Sequence, residues 1–368
     1  FVPPLSHLLE IAISKGDTAQ VRRLAPLYFA RDSAAEEADG IRWRVSVALN
    51  DRRLHERVDA EMPGFSVATL ARIMALGQID NVAWDDVERA AATLRSLSLP
   101  SGQRLGALLA LHNLAINSGQ PDEALAALVP LRQPDVPARI AGSFYNISQL
   151  VVLDALYGGG HAAAGDAEAR ALAARIAEPN LPAHEARAQQ YADVCTAELW
   201  RVRHGALSTV DRSLARLRAG SGARASVSFY GGNPDLCAAI LEGELALVRD
   251  TSSARARALR LDSLMREGPS RYGTDFGNIV AAGLFDRVGD PVRARAALRR
   301  RPYYSFAGTL FLAEVLLERA RIAARTGDRM DAIRSYRHYL ALRGRNPAPE
   351  LRPQVESVRR ELATLEHR

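Results

Sequence analysis

The chain has 368 residues, of which 48% are hydrophobic, 24% charged and only 6% aromatic. Alanine (64 residues) and leucine (47) dominate, so good helix formers replace the β-branched and aromatic excess of a sheet protein; two cysteines exclude a disulfide framework, and no apolar run approaches the roughly 18 residues of a membrane span. The net charge of +6 is split unevenly, with 18 basic and 24 acidic residues in 1–200 against 30 and 18 in 201–368, and all but one of the 48 basic residues are arginine.

Amphipathic helical periodicity runs from end to end, with apolar residues at i, i+3, i+4 and i+7 around 5–13, 66–76, 105–116, 192–202, 236–248 and 308–324. Between these stretches lie turn signals such as Met62-Pro63-Gly64, Pro179-Asn180-Leu181-Pro182 and Gly231-Gly232-Asn233-Pro234. Gly158-Gly159-Gly160 opens a run of small residues and reads as a flexible linker. The segment Ala225–Tyr230 alternates like a strand but would have no partner strand, so it is assigned to a loop or helix start.

A recurring unit is the most informative feature. At Gly327-Asp328 one amphipathic helix stops and another begins, with the glycine suited to a left-handed helix end and the aspartate to capping the next helix. Ala332 follows five residues after the glycine and Tyr336 nine after it, a small residue where helices cross and a large one that fills the gap. The same spacing returns at Gly119/Ala124/Leu128, Gly205/Val210/Leu214 and Gly289/Ala294/Leu298, and in weaker form at Gly16-Asp17 with Val21. Successive glycines are 86, 84 and 38 residues apart, which implies a unit of about 42 residues with degraded turns near Gly165-Asp166 and Arg249-Asp250.

This pattern resembles tetratricopeptide (TPR) repeats, most clearly over 308–345, through the Gly327-Asp328 turn with Ala332 and Tyr336; Leu316, Ala320 and Ala323 stand where the family favours Trp or Leu, Gly and Tyr, and Tyr339 where a small residue is usual. The resemblance implies an all-α fold, a TPR-like α-solenoid of antiparallel helix pairs over 1–348. Residues 349–368 are expected to form a C-terminal capping helix, with Leu351, Val355, Val358, Leu362 and Leu365 in one narrow stripe. The ending Tyr339-Leu-Ala-Leu-Arg343 and the opening Phe1-Val-Pro-Pro are similar to the repeat tails of large bacterial signalling proteins. In those, a receptor-like Ser/Thr kinase or a winged-helix transcriptional activator carries the tail. The chain is therefore expected to be a piece of a longer protein that includes its native C-terminus, and its compartment is open between cytoplasmic and extracytoplasmic.

Motifs for chemistry are missing. There is no GxxxxGK[ST] loop and no GxGxxG after a strand, and His184-Glu185 lacks a second histidine because residue 188 is Ala. Gly220-Ser221-Gly222 lacks the nucleophile-elbow frame. The histidines at 7, 55, 112, 161, 184, 204, 338 and 367 show no i, i+4 pairing with one another and read as surface or helix-terminal residues. Asp85-Asp86 and Glu36-Glu37 read as helix-start and solvated acids. Cys195 and Cys237, 42 residues apart, read as buried free thiols in related core positions; a bond between them needs α-carbons within about 7 Å. No enzyme activity, cofactor or metal is expected on these grounds.

The scarce aromatics gather where loops meet helices, at Phe144-Tyr145, Tyr191, Phe229-Tyr230, Tyr272 with Phe276, and Tyr303-Tyr304 with Phe306. Arg266, Arg271 and Arg299-Arg300-Arg301 lie beside them in sequence. Tyr and Arg dominate the binding energy of many interfaces, so Tyr191, Phe229, Tyr230, Arg271, Tyr272, Arg301, Tyr303 and Tyr304 are candidate partner-binding residues. The competing assignment is that these rings wedge between helix pairs as core. The function expected is a non-enzymatic scaffold or sensor region that binds a protein or peptide and relays occupancy to an upstream effector module. The alternatives are a nucleic-acid-associated regulatory domain using the arginine-rich C-terminal half, weakened by its 18 interleaved acids, and a stand-alone adaptor subunit.

Overall fold

A computed structural model describes residues 4–32, 38–132, 147–174, 183–219, 234–249, 252–267, 275–300 and 311–367. Among the described residues every regular element is helical and there is no strand. The chain divides into two compact units, 1–114 and 115–368. The first contains α1 (Leu5–Ser14), α2 (Thr18–Asp32), α3 (Ala38–Leu49), α4 (Arg52–Glu61), α5 (Val67–Asp80), α6 (Trp84–Ser96) and most of α7 (Ser101–Asn117). The second holds α8 (Pro121–Leu128), α9 (Ile147–Leu153), α10 (Ala162–Ala174), α11 (Ala183–Arg203), α12 (Val210–Ala219) and α13 (Pro234–Val248). It continues through α14 (Ala254–Glu267), α15 (Asp275–Arg287), α16 (Pro291–Arg299), α17 (Leu312–Arg325), α18 (Arg329–Arg343) and α19 (Arg352–Glu366).

The glycine turns decide where these helices reverse. Gly16, Gly119, Gly205, Gly289 and Gly327 all have φ between +69° and +78°, a conformation that costs a residue with a Cβ about 1 kcal/mol or more. In each turn the following N–H reaches back to the carbonyl five residues earlier, as in Asp328 N to Ala323 O (3.0 Å) and Asp290 N to Phe285 O (2.9 Å). Three of these turns then cap the next helix with aspartate: the Asp17, Asp290 and Asp328 carboxylates accept the N–H of Gln20, Arg293 and Asp331. The small and large positions five and nine residues on are buried in every copy: Val21 and Ala25, Ala124 and Leu128, Val210 and Leu214, Ala294 and Leu298, Ala332 and Tyr336.

One further copy has no glycine. Asn50 takes φ +50° between α3 and α4, Asp51 N bonds Ser46 O (2.9 Å), and the Asp51 side chain caps Leu54 N (3.1 Å). Asparagine tolerates the left-handed region because its short polar side chain bonds locally, so a search for glycine passes over it. The positions five and nine residues after Asn50 are His55 and Asp59, polar where the five glycine turns carry packing residues.

Helices pack in sequence and skip-one order. In the first unit α1, α3 and α5 touch in turn, and in the second α9, α11, α13, α15 and α17 do so, each of the latter also packed on the helix between. Side-chain bonds repeat the interval: Trp43 to Asp86, Gln149 to Asp193, Trp200 to Asp166, Arg203 to Glu244 and Arg299 to Asp331 span 43, 44, 34, 41 and 32 residues. At the end, α19 packs on α18 with Leu351, Val355, Val358 and Leu362 buried.

Four sequence expectations need correction. Gly165 lies inside α10, not at a turn; a Cβ there would meet the Trp200 ring at 2.7 Å, so close packing explains the glycine. Gly158–Gly160 is no linker: residues 154–158 close a π turn after α9, and Gly159 (φ +76°) ends it. A Cβ at 158 would meet Ile116 at 2.6 Å and one at 159 would meet Leu351 at 2.9 Å. His112 and His338 are buried, not superficial. Cys195 and Cys237 are not free thiols; they form a disulfide between α11 and α13, with α-carbons 5.8 Å apart. α13 ends at Val248 beside Arg249, while Asp250 of the expected turn and the segment Ala225–Tyr230 lie outside the described residues.

Candidate functional site

Of the eight residues expected to bind a partner, Phe229, Tyr230, Arg271, Tyr272, Arg301, Tyr303 and Tyr304 lie outside the described residues. Tyr191 is described, and it corrects the expectation of a loop junction: it sits half-buried within α11, nine residues into the helix. Of the neighbouring arginines, Arg266 pairs with Asp262 (2.8 Å), Arg299 with Asp331 (3.0 Å), and Arg300 with Asp262.

The polar chemistry of the second unit is concentrated on buried carboxylates. Tyr157 donates its hydroxyl to Glu244 (2.9 Å), Arg203 chelates the same carboxylate through Nη2 (2.8 Å) and Nε (2.7 Å), and its guanidinium lies 5.2 Å over the Tyr157 ring. Burial, then the Glu244 charge, hold the Tyr157 hydroxyl well above its usual range, so this cluster is a neutral phenol beside a closed ion pair. Arg343, only 1% exposed, donates to Gly158 O (2.7 Å) and ties the end of α18 to the glycine cluster. A pocket of about 10 Å³ beside Ile116, Asp154, Gly160 and His161 has room for one water, not an organic ligand.

Two carboxylates carry more arginine than they can neutralise. Glu242 on α13 meets Arg218 (2.6 Å), Arg260 (3.5 Å) and Arg257 (3.8 Å). Asp331, the third residue of α18, meets Arg299 (3.0 Å), Arg319 and Arg334 (3.4 Å). Burial alone would raise the Asp331 pKa, but hydrogen bonds and charge from Arg319 and Arg299 outweigh it and hold it below the ordinary carboxylate range. Each group leaves two net positive charges, and Arg218, Arg260, Arg299 and Arg334 are about half exposed or more.

The first unit holds the one group, among the described residues, of His and carboxylate donors close enough to share a metal ion: His55, Asp59 and Asp86, whose ligand atoms lie within 4.8 Å of one another. His55 Nε2 stands 3.3 Å from Asp86 Oδ2 and 4.0 Å from Asp59 Oδ1. Asp86, expected to be solvated, is 1% exposed and accepts the Trp43 indole N–H (2.7 Å). The i, i+4 spacing of His55 and Asp59 was visible in the sequence, but a search for paired histidines passes over a His–Asp pair, and Asp86 joins them only in the fold.

The chain matches no family model, no curated protein and no solved structure. No helix, among the described residues, is long and apolar enough to cross a membrane.

Proposed function

We propose that the chain is a TPR-like α-solenoid that binds an extended segment of a protein partner, without catalysis, and relays occupancy to an effector module of a larger signalling protein. The observation that carries this reading is the recurring unit: a left-handed turn, then buried residues at positions five and nine, on helices that pack in skip-one order. Such repeats present the same surface many times over, which suits an extended ligand. In this reading α19 is the cap that covers the last pair. The arginine surplus at Glu242 and Asp331 favours an acidic partner segment, since guanidinium groups already fixed by a buried carboxylate lose little freedom on binding. Nucleic acid is the weaker reading, because arginines of the C-terminal half, including Arg203, Arg295, Arg319, Arg325 and Arg337, are spent on Glu and Asp.

The test is selection from a displayed peptide library followed by fluorescence anisotropy. Acidic, aromatic-containing peptides should bind at micromolar Kd and weaken with salt, and the Tyr303→Ala/Tyr304→Ala variant should bind at least tenfold more weakly at an unchanged melting temperature. Recovery of no binder, or a collapse of thermal stability in that variant, would defeat the proposal by assigning those rings to the core.

A further inference from the structure

We infer that His55, Asp59 and Asp86 form a binding site for a first-row divalent metal ion of the zinc class, with Arg89 as the cation that holds the place when no ion is bound.

The case begins with what the fold does at this turn. Positions five and nine after the turns at Gly16, Gly119, Gly205, Gly289 and Gly327 carry Val, Ala, Leu or Tyr, all buried. After Asn50 they carry His55 and Asp59, on one face of α4, turned toward Asp86 at the start of α6. The packing pattern kept at these five glycine turns is departed from here by two ligand-type residues, and Asp86 itself stands five residues after the left-handed Asn81.

The hydrogen bonds then fix the donor atoms. The Ser46 hydroxyl donates its single proton to Trp43 O (2.7 Å), so toward His55 Nδ1 (3.1 Å) it can only accept. A proton therefore sits on Nδ1, which leaves Nε2, facing the two carboxylates, as the ring nitrogen an ion would take. This is the arrangement of metal-binding histidines, whose second nitrogen is held by an outer hydrogen bond. Asp86 has its own outer partner in the Trp43 indole N–H. One imidazole nitrogen and two carboxylates are a donor set for zinc-class ions, which take such ligands at about 2.0–2.2 Å. His55 and Asp59 are 28% and 30% exposed, which leaves the outer coordination positions to water.

Arg89 supplies the remaining evidence. Its Nη2 bridges Asp59 (2.9 Å) and Asp86, the two carboxylates that would bind the ion, while the side chain as a whole is 46% exposed. A cation thus already sits between these carboxylates, and its half-exposed side chain has room to withdraw to solvent when a divalent ion replaces it.

The experiment is a zinc titration of the full chain, stripped with chelator, in competition with a chromophoric zinc indicator. Wild type should bind one equivalent with His55→Ala and Asp59→Asn each weakening it at least tenfold, while His161→Ala at the separate His161–Asp122 pair leaves it unchanged. Arg89→Met should bind about tenfold more tightly, because the competing cation is gone. Asp59→Asn is nearly isosteric and half-exposed, so it decides the matter if His55→Ala proves unfolded by circular dichroism. No zinc bound by wild type, an equivalent retained in Asp59→Asn, or Arg89→Met no tighter than wild type would overturn the assignment.

Discussion

Removing the Cys195–Cys237 bond should destabilise the second unit by an amount that its loop length sets. α11 and α13 already pack directly on one another, so the bond acts chiefly by closing a 42-residue loop in the unfolded chain. The loop-closure relation gives an entropy of about −13 cal/mol/K for that length, or about 4 kcal/mol at 25 °C. For a unit of roughly 250 residues the unfolding entropy is about 0.5 kcal/mol/K, which converts the loss into about 7 °C of melting temperature. The variant is Cys195→Ala/Cys237→Ala; alanine is preferred to serine because both sites are fully buried and a hydroxyl there would be unpaired. Differential scanning calorimetry of oxidised wild type, reduced wild type and the double variant reads the shift. The first unit contains no cysteine and serves as internal control. A shift under 2 °C would refute the loop argument. Alkylation of both thiols in denatured, never-reduced protein would refute the bond itself.

Other expectations follow from the same geometry. Gly327→Ala, where a Cβ meets nothing but φ is +78°, should cost about 1 kcal/mol, whereas Gly165→Ala should cost more, about 1–3 kcal/mol, because its Cβ would strike Trp200 and Ala155; urea titrations compare them. Asp331→Asn removes the partner of three arginines and should cost about 1–2 kcal/mol at pH 7. Because the Asp331 pKa is lowered in the folded state, that contribution is present above the ordinary carboxylate range and fades as pH falls through it, so wild type and variant should converge in strong acid. The Tyr336 hydroxyl, raised by burial and then by its bond to Glu361, contributes stability below the usual tyrosine pKa and loses it as pH rises beyond; Tyr336→Phe should flatten the alkaline fall in melting temperature.

How far the sequence carried depended on whether a feature was local. The turns at Gly16, Gly119, Gly205, Gly289 and Gly327 were legible because a left-handed residue and two buried positions, joined in three of them by an aspartate cap, all lie within ten residues. The stripe of α19 was legible for the same reason, and the 349–351 turn places Pro349 where its missing N–H costs nothing. Long-range proximity was not legible. The glycines at 158 and 165 are small because Ile116 and Trp200 press on them, and nothing in a Gly-Gly-Gly run distinguishes close packing from freedom. The disulfide needed α11 and α13 to be neighbours, which spacing hinted at but could not establish. Asp86 beside Asp85 looked like any acidic helix start until Trp43, 43 residues earlier, was found bonded to it. Arginine content was only half informative: 30 basic against 18 acidic residues over 201–368 leave a net surplus, but which arginines pair with Glu242, Glu244, Asp262 and Asp331 is set by the fold.

The most direct test of the proposed scaffold role is hydrogen–deuterium exchange of the full chain with and without a selected acidic peptide. The account predicts slowed exchange in peptides covering Tyr191, Phe229-Tyr230, Arg271-Tyr272 and Arg301–Tyr304, together with those carrying Arg218 and Arg299. Protection confined to the first unit, or no protection at saturating peptide, would contradict it.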